Sequence, residues 1–134
     1  MIKHITIITA LLIALSSQAR TEYMVLKDED VFYCISESGA YSAMHGDWEF
    51  TLRKPAKFKF QIKDDQILFG SRGQFANGIM NIDTLVELQL KASGDTVGPA
   101  DGTQIFVLFD GRFTWGSASV MMASMMVGTC EKFQ

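Results

Sequence analysis

The chain has 134 residues, 48% of them hydrophobic, with a formal net charge of −3. That is enough for one domain with a real core, and it provides no global positive field to draw nucleic acid or an anionic membrane. Two cysteines and two histidines leave little material for a zinc set, or for a nucleophile with a base beside it.

The chain opens with a short basic start at Lys3. An apolar run, Ile5 to Leu15, follows, and then "SSQA" with Ser17 and Ala19 at the small-residue positions of a cleavage site. This layout predicts a signal peptide over 1–19 and a single β domain over 20–134, periplasmic or secreted. The run is about half of the ~20 residues that a bilayer-spanning helix needs. The exported chain is therefore expected not to span a membrane. Export places Cys34 and Cys130 in an oxidising compartment, where a pair forms and persists. A Cys34–Cys130 disulfide is expected, tying the first strand to the last.

Beyond the signal, the pattern is mostly period two. "DVFYCIS" and "WEFTLR" read as strands rich in aromatic and β-branched residues. Pro55 ends or edges the second of them. "KFKFQIK" sets Phe58, Phe60 and Ile62 on one face, with Lys57, Lys59, Gln61 and Lys63 on the other. Asp64-Asp65-Gln66 turns the chain into "ILFGS", giving a hairpin. "SRGQFANG" is a break. "VELQLKA" resumes the alternation, with Val86, Leu88 and Leu90 against Glu87, Gln89 and Lys91. A second break, "SGDTVGPADGT", leads to "QIFVLFDGRFTW", where Asp110-Gly111 between apolar strands is a strong hairpin signal. "GSASVMMASMMVGTC" is too long to continue as one strand. A bend over Gly116 to Ser119 is expected, with a final strand from Val120 to Cys130. A capped Ala/Met helix is the alternative. The fold that follows is all-β: a single antiparallel sheet of about seven to nine strands curled into a small barrel. A two-sheet sandwich is the runner-up.

The strands "RKPAKFKFQIK", "DGRFTW" and "GTCEKF" resemble those of a group of small secreted bacterial proteins, some of them phage-associated and without assigned function. Members end in a glycine-threonine-cysteine-x-lysine-phenylalanine strand and carry a tyrosine-x-cysteine strand near the mature start. Here Tyr33 directly precedes Cys34, and Phe32 takes the aromatic place two before it. The resemblance implies a fold and no activity. A looser likeness, of architecture, is to periplasmic lysozyme inhibitors, whose binding loop carries a serine-glycine-x-arginine-tyrosine pattern. Gly70-Ser71-Arg72-Gly73 is the nearest stretch here and does not match it.

The acids fall where turns are expected: Asp28-Glu29-Asp30, Asp64-Asp65, Asp95 and Asp101. A non-enzymatic protein is therefore expected, with no cofactor and no metal. His45, Asp47 and Trp48, together with Arg72, are the candidates for ligand or partner contact. Arg53, Lys54, Lys57, Lys59 and Lys63 form a basic stripe, read as a solvated strand face or as contact with an anionic partner. Met121, Met122, Met125 and Met126 read as adaptable core packing on a strand. On a helix Met121 and Met125 would be near enough to share a Cu(I) ion, whereas on a strand they lie about 13 Å apart. The expected function is binding of a protein or small-molecule partner in the bacterial envelope, with no nucleic-acid partner. Inhibition of an exogenous hydrolase such as lysozyme is the alternative, and a carboxylate-dependent enzyme comes third.

Overall fold

A computed structural model describes residues 24–43, 51–95 and 102–133. The expected signal peptide over 1–19 lies outside them. The described residues contain no helix and form β1 (Val31–Ala43), β2 (Thr51–Leu52), β3 (Lys57–Lys63), β4 (Gln66–Phe69), β5 (Ile79–Val86), β6 (Gln89–Asp95), β7 (Gly102–Phe109), β8 (Arg112–Ser119) and β9 (Met122–Phe133). Every pairing is antiparallel. β3 to β9 follow one another around the sheet, and β1 pairs with both β3 and β9, closing eight strands into a barrel. β2 is the ninth strand and pairs only with the far half of β1, at Ala40 and Tyr41.

Closure follows from the alternation. Phe58, Phe60 and Ile62 of β3 are buried, and Lys57, Lys59 and Lys63 are exposed. The same rule turns Phe32 and Cys34 of β1 inward, with Phe106 and Leu108 of β7, Phe113 and Trp115 of β8, and Met126 and Cys130 of β9. The lumen is packed with aromatic rings. Phe106 alone meets Phe58, Phe60, Phe69 and Phe113 at centroid distances of 5.3 to 6.3 Å. Cys34 and Cys130 stand directly opposite each other in the β1–β9 ladder, bonded, with Cα atoms 4.0 Å apart.

Two hairpins turn where expected. Asp64 and Asp65 both take positive φ (52° and 61°), as do Asp110 and Gly111 (45° and 78°). That is the pattern of a two-residue turn matched to the right-handed strand twist.

Three expectations are corrected. "VELQLKA" is not one strand, because Glu87 and Leu88 form the turn between β5 and β6. β5 itself gave no alternating signal, because a register shift between Ile82 and Thr84 breaks its period. The bend over Gly116 to Ser119 does not occur either. β8 runs straight through those residues, and the chain turns at Val120–Met121, where the Ser119 hydroxyl accepts hydrogen bonds from the Met121 and Met122 amides at 3.2 and 3.0 Å. The methionines divide accordingly: Met126 is buried, whereas Met121, Met122 and Met125 are exposed.

Residues 24–30 lie across one end of the barrel. The Leu26 amide donates to the Glu87 carbonyl at the β5–β6 turn, and the Asp64 amide at the β3–β4 turn donates to Asp28 Oδ1. Leu26 is buried against the core, and buried Asp30 pairs with Lys132 at 2.9 Å while accepting the Lys27 amide at 3.0 Å. We expect Asp30→Ala to cost about 1–3 kcal/mol in a urea titration, since it strands two donors at a half-shielded site. Asp30→Asn, which keeps an acceptor for Lys27, should cost less. Equal losses would show that the amide contact contributes nothing.

Candidate functional site

β1 and β3 run side by side on the outer wall, and their outward residues sit between the inward Phe32, Cys34, Phe58 and Phe60. Tyr33 faces Lys59, and Ile35 faces Lys57. The chain leaving β4 stays close beside this wall: the Gly70 amide donates to the Lys59 carbonyl at 2.9 Å, which extends the β3–β4 ladder by one pair. Gly73 takes a φ of +95° and lies so close that a Cβ there would collide with the Lys57 carbonyl oxygen, so the close approach requires glycine. Between loop and wall lies an open groove of about 600 Å³, lined by Tyr33 to Ile35, Lys57 to Lys59 and Gly70 to Gly73.

The loop is held from within. Phe75 meets Phe58 edge-on at 4.9 Å, Phe69 at 4.8 Å and Trp115 at 5.0 Å. The Asn77 amide donates to the Gly70 carbonyl and the Gly78 amide to the Phe75 carbonyl. Asn77 adopts a φ of 60°, which asparagine tolerates best among residues with a side chain. An anchored loop of this kind gives up little conformational freedom on binding. It presents Arg72 to solvent.

The chemistry of the groove is cationic and partly apolar. Arg72, Lys57 and Lys59 line it, and among the described residues no carboxylate does. The Lys59 ammonium lies 6.0 Å from the centroid of the Tyr33 ring, which packs edge-on against Phe133 at 5.6 Å. Tyr33 and Ile35 are about half exposed, a large apolar area for an outer wall.

The chain matches no protein-family model, and no curated protein or solved structure is detectably similar to it.

The residues singled out in the sequence part company. His45, Asp47 and Trp48 lie outside the described residues. Arg72 joins Lys57 and Lys59 at the groove. Lys54 and Lys63 are exposed away from it. Arg53 leaves the stripe altogether: it is half-buried at the end of the barrel opposite residues 24–30. There its guanidinium lies 5.9 Å from the Tyr41 ring centroid and 5.6 Å from that of Trp115, and it donates to the Ser124 hydroxyl. The cause is topological, since β2 pairs with β1 instead of continuing into β3, and so the Lys-face alternation starts afresh at Lys57. Trp115 Nε1 donates to buried Gln104 at 3.0 Å in the same layer. Tyr33, Ile35 and Phe75 were missed. Tyr33 and Ile35 carried a signal: they are large apolar residues on the outward phase of a strand whose inward phase is Phe32 and Cys34. Phe75 carried none, because a loop has no period.

The acids divide. Asp28, Glu29, Asp64 and Asp65 are turn residues as expected, and so are Glu87 and Asp110. Asp95 instead ends β6, Asp30 is buried just before β1, Asp101 lies outside the described residues, and Glu37, Asp83 and Glu131 stand in strands. Among the described residues no three His, Cys, Asp or Glu side chains come together as a metal site.

Proposed function

We propose that the chain is an exported, non-enzymatic binding protein of the bacterial envelope that receives an acidic partner on its outer wall. One observation carries the reading. A loop anchored by Phe75 sets Arg72 beside Lys57 and Lys59, over a groove that no carboxylate lines among the described residues. The filled lumen leaves the wall as the contact surface. The buried Cys34–Cys130 bond suits a periplasmic or secreted protein. The wall lysines and the apolar interior reverse the polarity of a membrane-spanning barrel.

Binding to immobilised poly-L-glutamate, measured at rising salt, tests the proposal. Affinity should fall with ionic strength, because the contacts are exposed charges. Arg72→Ala combined with Lys59→Ala should weaken binding roughly tenfold or more. Lys63→Ala, on the same strand but outside the groove, should change little. Phe75→Ala should also weaken binding, although it removes no charge, because it frees the loop. If Lys63→Ala weakened binding as much as the groove variants, the attraction would be a general one and the assigned site would be wrong.

The inhibitor reading is a special case favoured by the same loop. A glycoside hydrolase cleft presents two carboxylates about 5–9 Å apart, and a guanidinium pairs with carboxylate through parallel hydrogen bonds. Cell-wall turnover by lysozyme should then slow when the protein is added, and Arg72→Ala should abolish the effect.

A further inference from the structure

The opposite part of the wall has a different character. On the outward face of β7, β8, β9, β1 and β2, the ladders align Ile105, Gly116, Met125, Ala40 and Leu52 in one row. The flanking rows are Val107, Thr114, Val127 and Ser38 on one side, and Thr103, Ala118 and Ala123 on the other, where the row ends at buried Ser42. None of these positions carries a charge, in a chain that is 20% charged. Leu52 is 81% exposed, Met125 50% and Ile105 47%. The apolar surface continues onto the exposed turn at Val120 and Met121. Contiguous apolar patches of this kind mark interaction sites.

Gly116 supplies an independent observation. Glycine weakens a strand interior and occurs there for a reason: a bulge, a tight bend, or the close approach of another backbone or ligand. The inward glycines have reasons within the protomer. A Cβ at Gly128 would collide with the Ile35 carbonyl, at Gly39 it would lie 2.8 Å from the Met125 carbonyl oxygen, and at Gly94 3.2 Å from that of Ile79. At Gly116 a Cβ would meet only the Ser124 carbonyl oxygen, at 3.9 Å. Both ladders pass through Gly116 without a register shift, so no bulge calls for it either. What its missing side chain leaves is a hollow on the outside, between Ile105 and Met125.

We infer that this face pairs with the same face of a second copy of the chain. The central row alternates large and small: Ile105, Gly116, Met125, Ala40, Leu52. With the two-fold axis between β8 and β9, Gly116 of one copy meets Met125 of the other and Ile105 meets Ala40, large against small, which is the self-complementarity that an isologous interface demands. A face without charge meets itself without like-charge repulsion, whereas a charged partner would find nothing to pair with. Sheets pack this way, with strand directions held within about 30° of each other. The contact spans four strands about 4.8 Å apart and three outward rows about 6.8 Å apart, roughly 400 Å² per copy. Two copies bury about 800 Å², the size of a weak, reversible interface, so association should rise with concentration.

Sedimentation equilibrium over a concentration series, on protein purified after expression of the full chain, tests the pairing. The expected result is a dimer. Met125→Glu and Gly116→Glu should each weaken self-association by roughly a hundredfold or more, because each places two unpaired carboxylates in an apolar interface. The protomer has room for both, so circular dichroism and melting temperature at low concentration should stay as in the parent. Lys63→Glu, on the charged part of the wall, should leave the dimer intact. A parent protein that is monomeric throughout overturns the inference, as does a dimer that survives both glutamate variants. Flotation of a monomeric parent with phosphatidylglycerol vesicles, lost in Met125→Glu, would overturn it in favour of lipid.

Discussion

Reduction of the Cys34–Cys130 bond is expected to lower the melting temperature by about 10–20 °C. The two cysteines are 96 residues apart, so the bond closes nearly the whole described barrel into one loop. In the chain-entropy model a loop of that length stabilises by about 4–5 kcal/mol, and each kcal/mol is worth about 3–5 °C in a domain between roughly 100 and 150 residues. The lower end is the better expectation, since β1 and β9 already pair along most of their lengths and engineered cross-links often deliver less than the model value. Both sulfurs are buried, so a reductant needs at least local opening to reach them. Differential scanning calorimetry with and without reductant, beside a Cys34→Ala/Cys130→Ala double variant, measures the effect. Binding to the acidic probe should persist in the reduced protein below its new melting point, because the groove residues make no use of the sulfurs. Coincident melting curves would show that the ladder alone holds the ends together.

The second large effect is expected from Phe106→Ala, at about 3–5 kcal/mol of lost stability. Phe106 is fully buried and meets four other phenylalanine rings, two of them from β3, on the opposite side of the sheet order from its own β7. The ring therefore links walls that no backbone hydrogen bond connects. Phe109→Ala, three positions along and on the outward phase, should stay within about 0.5 kcal/mol, the usual range for surface substitutions. The contrast bears on function as well as stability. A binding protein with an open apolar lumen tolerates, and sometimes gains from, a smaller residue on its inner wall. If Phe106→Ala left the urea midpoint unchanged, the lumen would be that of a ligand carrier, and the outer-wall reading would lose its ground.

Much of this protein follows from local rules in its sequence. Phe58, Phe60 and Ile62 alternate with lysines, so β3 and its inward face could be read directly. Aspartate pairs and Asp110-Gly111 tolerate positive φ, so two hairpins were legible at their turns. An expected export and a cysteine in each terminal strand predicted the disulfide, and with it the closure of the sheet. Tertiary structure decided what no local period encodes. A bulge inside β5 erased the alternation that would have announced it, and Glu87-Leu88 became a turn because strands pair on either side of it. Met126 went inside and Met122 stayed at the rim because β9 runs past the core. Arg53 left the lysines because β2 docks on the far half of β1, and Phe75 anchored its loop through rings that come from β3, β4 and β8. The row from Ile105 to Leu52 joins five strands drawn from distant parts of the chain. Period-two alternation assigns a residue to a face, whereas only the register between strands assigns its neighbours, and both the groove and the apolar face are made of neighbours.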